Sequence, residues 1–269
     1  MKIKIIEVKK FQNVHIKRGD YVNYDDIEKS MTLDNPKNYE ACLKMREATP
    51  ARICVGRVGA RCKTSTFLKF RADHAVAQDA VWSYVDESVV DKLGFLKVQT
   101  LVRDKEEYIT RPDLGRRFSE ETMKYIKDNC IKNPDVQIIA GDGLSSPAIT
   151  VNLEDIYSIM FDGLKAKGYK IGTPIFVRYS RVATMDRISE ALNAKVTIIL
   201  IGERPGLATG ESMSSYMAYE SSTLKPESQR TVISNIHKNG TPPVEAGAQI
   251  VHLVDIMMEK KKSGVELKI

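Results

Sequence analysis

The sequence predicts an α/β fold of the Rossmann-like kind: a mostly parallel sheet with helices on both faces, preceded by a mainly helical N-terminal region. Three observations predict it. Apolar runs that read as buried strands recur at Val136–Ala140 (VQIIA), Thr173–Tyr179 (TPIFVRY) and Val196–Ile201 (VTIILI). Stretches suited to helices lie between them, at 153–167 and 185–192. The links are short, and strand–helix–strand order with short links builds parallel strands joined by crossover helices. Strands covered on both faces lose the polar alternation of half-exposed ones, which is why these runs are so apolar.

Taken in order, residues 1–35 show no sustained period and carry the cluster YVNYDDIEKS, so they read as a tail with short local structure. Helical spacing begins near Pro36, with Tyr39, Leu43 and Ala48 available for one face, and Pro50 stops it. The chain is accordingly divided into a tail and helical segment, 1–50, and an α/β domain, 51–269. Thr64 or Ser65 can cap a second helix through about Tyr84, with Leu68, Ala72, Ala75 and Val76 on its apolar side. A third helix is expected from Leu114 to Asn129, entered through Arg111-Pro112-Asp113. Asn152 and Asp155 stand in capping positions for the helix that Gly168 ends. The last helix opens at Thr241-Pro242-Pro243, since proline presets the first-turn backbone angle, and runs to about Lys262.

Composition narrows the function classes. With 269 residues, 42% hydrophobic and 28% charged, the chain has enough apolar material for a substantial core. No segment approaches the roughly 18 consecutive apolar residues of a membrane helix. The opening MKIKIIEVKK lacks a signal peptide's apolar stretch, so the chain is expected to be intracellular. Cys42, Cys54, Cys62 and Cys130 form no Cys-x-x-Cys pair, and His15, His74, His237 and His252 are scattered. No metal held by side chains is therefore expected, and each cysteine reads as a small buried hydrophobe. The net charge of +6 is modest, although basic residues cluster in RVGARCK at 57–63 and RPDLGRR at 111–117. Such clusters fit a solvated face, or a surface that meets an acidic subunit or anionic ligand.

Right-handed crossovers place the carboxyl ends of parallel strands along one edge, and ligands of such sheets bind in the crevice outside them. Three loops leave the predicted strands there: GDGLSS at 141–146, SRVATM at 180–185 and GERPGL at 202–207. Gly141-Asp-Gly143-Leu-Ser-Ser146 lacks the third glycine of a dinucleotide turn, and no Gly-x-x-x-x-Gly-Lys-Ser/Thr run exists. Ser145, Ser146 and Ser214 lack a nucleophile's glycine elbow, so no catalytic residue is assigned. Glu203, at a strand end, can pair with Arg204 or another arginine, or accept hydrogen bonds from a ligand's amides or hydroxyls. Arg178 and Arg181 flank the middle loop, as core-edge ion pairs or ligand contacts. Ser234, Asn235 and His237 precede the last helix, where turns and caps are the ordinary use of such residues.

Together these stretches resemble the ethanolamine ammonia-lyase small-subunit family from about Ala51 to Gly264. The matching runs include GRVGARCKT at 56–64, FLKFRADH at 67–74, YITRPDLGRR at 108–117, NPDVQIIAGDGLSSPAITVN at 133–152, GTPIFVRYSRV at 172–182, IGERPGL at 201–207 and SNIHKNGTPPVEA at 234–246. The resemblance implies pairing with a large barrel-shaped subunit, with adenosylcobalamin between the two and radical deamination of ethanolamine to acetaldehyde and ammonia in the partner's barrel. It implies cobalamin contacts at Val182, Glu203 and Val232, with Arg181, Ser145 and Arg204 behind them. At position 232 relatives can have cysteine, so a contact through backbone or van der Waals surface is expected there. The resemblance further implies a cytoplasmic protein within a bacterial microcompartment, bound to neither membrane nor nucleic acid. Two other classes remain: an autonomous doubly wound nucleotide-dependent enzyme, which needs a phosphate loop, and a nucleic-acid module using Arg57, Arg61, Arg116 and Arg117.

Overall fold

The structure is a computed structural model and describes residues 33–49 and 51–268. The tail reading, with His15, lies outside the described residues as far as position 32. The chain separates into two compact units, residues 1–75 and 76–269.

In the first unit, helix α1 (Tyr39–Glu47) is capped by Asn38, whose side chain accepts the Ala41 N–H at 2.9 Å. Strands β1 (Arg57–Val58) and β2 (Arg61–Cys62) pair antiparallel, and Gly59 takes the positive φ of 59° that their two-residue turn requires. Gly56 is the one buried residue among those described here. Helix α2 (Thr64–Trp82) crosses the boundary between the units and buries only Ala77 and Ala80. Its expected apolar side is not buried: Leu68 is 60% and Val76 61% exposed. The apolar residues of α2 are spread around the helix instead of forming one stripe.

The second unit runs α3 (Glu87–Lys92), β3 (Leu96–Gln99), α4 (Lys105–Thr110), α5 (Glu120–Asn129), β4 (Val136–Gly141), α6 (Ser146–Ala166), β5 (Ile175–Arg178), α7 (Thr184–Leu192), β6 (Val196–Gly202), β7 (Met213–Tyr219), β8 (Thr231–Ile236) and α8 (Pro243–Lys260). Its sheet has the order β3-β5-β4-β6-β7-β8. The first four strands are parallel, whereas β7 pairs antiparallel with β6 and β8 antiparallel with β7, so that β7 alone runs against the rest. The sheet is therefore mixed and six-stranded: mostly parallel, as expected, with the reversed β7 as the departure. The cause is local: only residues 203–212 link β6 to β7, too few for a helical crossover.

Every residue of β4 and β6 is buried, as their apolar runs require. Ile149, Ile156 and Met160 of α6 and Ile250 and Val254 of α8 pack on one core, with Ile138 and Ile198 of the sheet. Ile126 of α5 and Ile188 of α7 pack on the other, with Ile139, Val177 and Ile199. Helices therefore cover both faces. Burying each large aliphatic side chain contributes roughly 1.5–3 kcal/mol, so these layers hold the strand ends rigidly where the loops leave them.

Several expected elements shift. Helix α6 starts seven residues before position 153, because Ser145 caps it by accepting the Ala148 N–H, and Pro147 fits its first turn. Asn152, expected as a cap, lies inside the helix and donates to the Glu211 carbonyl. The expected helix 114–129 is a 3-10 turn at Leu114–Arg116, then α5, capped by Ser119. Gly115 is held against the 179–181 loop by accepting the Arg181 N–H, which diverts the chain before α5 can begin. Ser234 and Asn235 belong to β8 rather than to a turn before the last helix. Cys130 alone among the cysteines is buried; Cys62 is exposed and Cys42 and Cys54 are half-buried, contrary to the expectation for all four. Among the described residues no helix is long and apolar enough to cross a membrane, and no cluster of three potential metal ligands occurs.

Candidate functional site

The parallel strands β4, β5 and β6 end side by side, and their three loops are stitched together by backbone hydrogen bonds. The Asp142 N–H donates to Val177 and the Ser180 N–H to Asp142, each at 2.9 Å, while the Leu144 N–H reaches Gly202 at 3.2 Å. Such close approach depends on glycine. A Cβ on Gly143 would lie 2.5 Å from the Gly202 carbonyl oxygen, and one on Gly202 would run into the Ser145 carbonyl.

Beneath the loops sits a buried polar knot. The Lys105 ammonium, 3% exposed, meets Ser146 Oγ at 3.0 Å and Asp142 Oδ1 at 3.4 Å. The rings of Tyr84, Tyr108 and Tyr179 surround the same ammonium at 5.4–5.8 Å. Burial lowers the Lys105 pKa and raises that of Asp142, in each case against the pull of the partner charge. Tyr179, at the end of β5, holds a left-handed backbone with φ 57°, sparsely populated for an aromatic residue. Thr100 Oγ1 donates to its carbonyl, and the Tyr108 hydroxyl to the next, at 3.0 and 2.7 Å. This strained corner aims Arg181 and Val182 outward.

Above the knot lies a cleft of about 410 Å3 lined by Tyr108, Leu144, Arg181, Val182, Ile201, Gly202, Glu203, Arg204, Ser214, Tyr216 and Ser234. Glu203 is its most engaged polar group. Oε1 accepts from Ser214 Oγ at 2.5 Å and from the Asn235 N–H at 2.9 Å, and Oε2 accepts from Ser212 Oγ at 2.8 Å. Burial pushes the carboxyl pKa up, but the bonds from Ser214, Asn235 and Ser212 and the charge of His237 outweigh it. The net shift is downward, so the group is an anion at neutral pH. The alternative of an arginine partner for Glu203 does not hold among the described residues, whose ion pairs include none at this carboxylate.

Arg181 stands across from it, its guanidinium 4.2 Å above the Tyr108 ring and one Nη2–H bonded to the Tyr108 carbonyl. Of the residues singled out from sequence, Val182, Glu203, Arg181 and Arg204 line the cleft together, with Ser214 and Ser234 beside them. Val232 does not line it; it faces Tyr216 across the β7–β8 ladder and is 45% exposed. Ser145 is buried and caps α6, with its hydroxyl bonded to the Gly210 carbonyl. Arg178 pairs with Glu87 of α3 and is not among the residues that line the cleft. Sequence reasoning missed Tyr108, Tyr216 and Ser212, and gave Ser234 only the role of a turn or cap residue. The run SMSSYMAY at 212–219 gives β7 only a weak signal, because Ser214-Ser215 and Met217-Ala218 break a period-two alternation.

A family profile described as ethanolamine ammonia-lyase light chain matches residues 39–268. The chain is 74% identical over 230 residues to the ethanolamine ammonia-lyase small subunit of Clostridium acetobutylicum, covering 86% of this chain and 95% of that one. It is 55% identical over 243 residues to the small subunit of Clostridium perfringens, covering 90% and 82%. Against the Listeria monocytogenes small subunit the identity is 52% over 243 residues, covering 90% and 83%. A match over most of the chain, with relatives this similar, places it plainly: the chain belongs to the ethanolamine ammonia-lyase light-chain family and is a subunit of a lyase.

Proposed function

We propose that this chain is the small subunit that holds adenosylcobalamin against a large catalytic subunit, which deaminates ethanolamine to acetaldehyde and ammonia. The carrying observation is the chemistry of the cleft. Among the described residues no histidine, lysine or cysteine lines it, and the one carboxylate that does, Glu203, is occupied by three donors from its own chain. The one hydroxyl–carboxylate contact in the lining, Ser214 with Glu203, involves a carboxylate whose depressed pKa makes it a weak base, as suits a binding wall better than an autonomous active site.

The lining does fit a corrinoid. Val182, Leu144, Ile201 and Tyr216 offer apolar surface to the flat macrocycle, and the polar groups between them match the amides around its rim. A carboxylate has about four lone-pair sites, so Glu203 with three filled retains one for a ligand N–H or O–H. Val232 is proposed as a van der Waals contact from the β8 edge beyond the cleft. The cofactor, when bound, supplies radical chemistry through homolysis of its cobalt–carbon bond. The residues of this chain bind, orient and exclude water, and the partner covers the open side. The assembly is proposed to work in the cytoplasm, inside a bacterial microcompartment.

Ethanolamine turnover measured with added adenosylcobalamin tests the reading. Activity is expected only when the large subunit is present. Turnover by the purified single chain would falsify it.

A further inference from the structure

Two positive charges in the cleft have no counter-charge. Among the described residues no carboxylate pairs with Arg181 or Arg204, and Glu203 is committed to Ser212, Ser214 and the Asn235 N–H. Arg181 is also fixed in place. Its guanidinium rests on the Tyr108 ring, one Nη2–H is bonded to the Tyr108 carbonyl, and the Nε–H is buried with no acceptor. A guanidinium offers five donors in a rigid fork, and this one leaves most of them unused at the wall of an open cleft. Arg204, exposed on the loop after β6, brings a second guanidinium to the same cleft. Unpaired arginines held by aromatic stacking match planar or tetrahedral oxyanions, above all phosphate. A corrin rim of neutral amides gives them nothing to neutralise.

We infer that Arg181 and Arg204 form an anion subsite that takes the phosphodiester of the cofactor's nucleotide loop, so that the cleft has separate places for the neutral amides, near Glu203, and for the charged tail. This rests on the proposed cobalamin function and refines it. Adenosylcobalamin carries one phosphodiester between its corrin ring and its benzimidazole, and the same two arginines set the end of the cleft at which it lies. The subsite positions the ligand and makes or breaks no bond.

The test uses the complex of this chain with its large subunit and three probes: cyanocobalamin, cobinamide phosphate and cobinamide, which lacks the phosphate. Affinities are read by calorimetry, independently of turnover. Arg181→Gln is expected to weaken cyanocobalamin and cobinamide phosphate by about ten- to a hundredfold, the range of a charge-assisted hydrogen bond, and to leave cobinamide unchanged. Arg204→Gln, a change at an exposed residue that leaves the Tyr108 stack intact, is expected to show the same selective loss to a smaller degree. Equal losses for all three probes in both variants, or none for any, overturn the phosphate subsite while the cobalamin reading stands. Failure of the unmodified complex to bind any of the three overturns both.

Discussion

Glu203 shows how much a single side chain can be committed before a ligand arrives. Its three accepted hydrogen bonds tie the end of β6 to Ser212 and Ser214 on the β7 side and to the Asn235 N–H in β8. Hydrogen bonds to a charged group contribute about 1.5–3 kcal/mol, more than neutral ones. Removing the side chain strands two hydroxyls and a backbone N–H, so Glu203→Ala tests folding as much as binding. Glu203→Gln is the cleaner change, keeping size and one acceptor oxygen while discarding the charge. It is expected to cost about 1–3 kcal/mol of stability at neutral pH, measured by denaturant titration. The sign of its pH dependence follows from the shift. The folded carboxyl pKa is depressed, so the contribution is present above the unfolded pKa and lost as pH falls through the folded one. Asp142, whose pKa is raised, acts in the opposite sense over acidic pH, and the difference between variant and wild type removes it. The stability gap between Glu203→Gln and wild type should therefore narrow toward zero in acid. A gap independent of pH would show that the charge on Glu203 does not hold the strands together.

At the scale of elements, the three loops form one wall because glycines let backbones touch. Gly202 ends β6 against the Ser145 carbonyl at the start of α6, and Gly143 packs on the Gly202 backbone. Gly202→Ala puts a methyl into backbone that cannot move without shifting α6, so overpacking of about 1–3 kcal/mol or more is expected. Gly206, with no close neighbour near its Cβ position, is the matched control, and Gly206→Ala should be near neutral. Thermal melts of the two variants decide it; equal melting temperatures would deny the close contact between the loops. These features also mark where the sequence was readable. Buried strands β4 and β6 announced themselves by unbroken apolar runs, and the loops after them were correctly gathered at one edge. Strands β3 and β8 were hidden because Leu96–Gln99 interleaves lysine and glutamine with its two apolar residues, leaving no apolar run, and Thr231–Ile236 carries serine and asparagine, which mimic a turn. The partners of Glu203 were invisible for the same reason: they sit on β7 and β8, whose antiparallel return no crossover rule foretells. Tyr108 lies on a six-residue helix some seventy residues before its partners Ser180 and Arg181, a separation no local pattern bridges.

Across the whole molecule, burial is distributed very unevenly. Residues 76–269 contain two layers of aliphatic side chains with near-zero exposure on the faces of one sheet. From 33 to 75 the described residues include one buried glycine, and α1 buries nothing. Helices without a buried face are marginal in water, since most helical stability in proteins comes from packing an apolar stripe. The family profile nevertheless begins at Tyr39, so this poorly buried stretch is part of what defines the family. Amide hydrogen exchange of the isolated chain should therefore separate the two parts. Opening free energies follow buried contacts, from near zero for solvated helices to the global value for core strands. Amides of Tyr39–Glu47 are expected to exchange fastest among the helices, and those of Val136–Gly141 and Val196–Gly202 slowest of all. The slow strands carry the cleft, so its wall is expected to be the most protected part of the described residues even without a partner. Protection in α1 equal to that in β6 would mean that the N-terminal helix is held by contacts its exposed side chains do not reveal. Repeating the exchange with the large subunit bound then measures which amides the partner covers, and slowed exchange confined to the cleft loops is the pattern the proposed role requires.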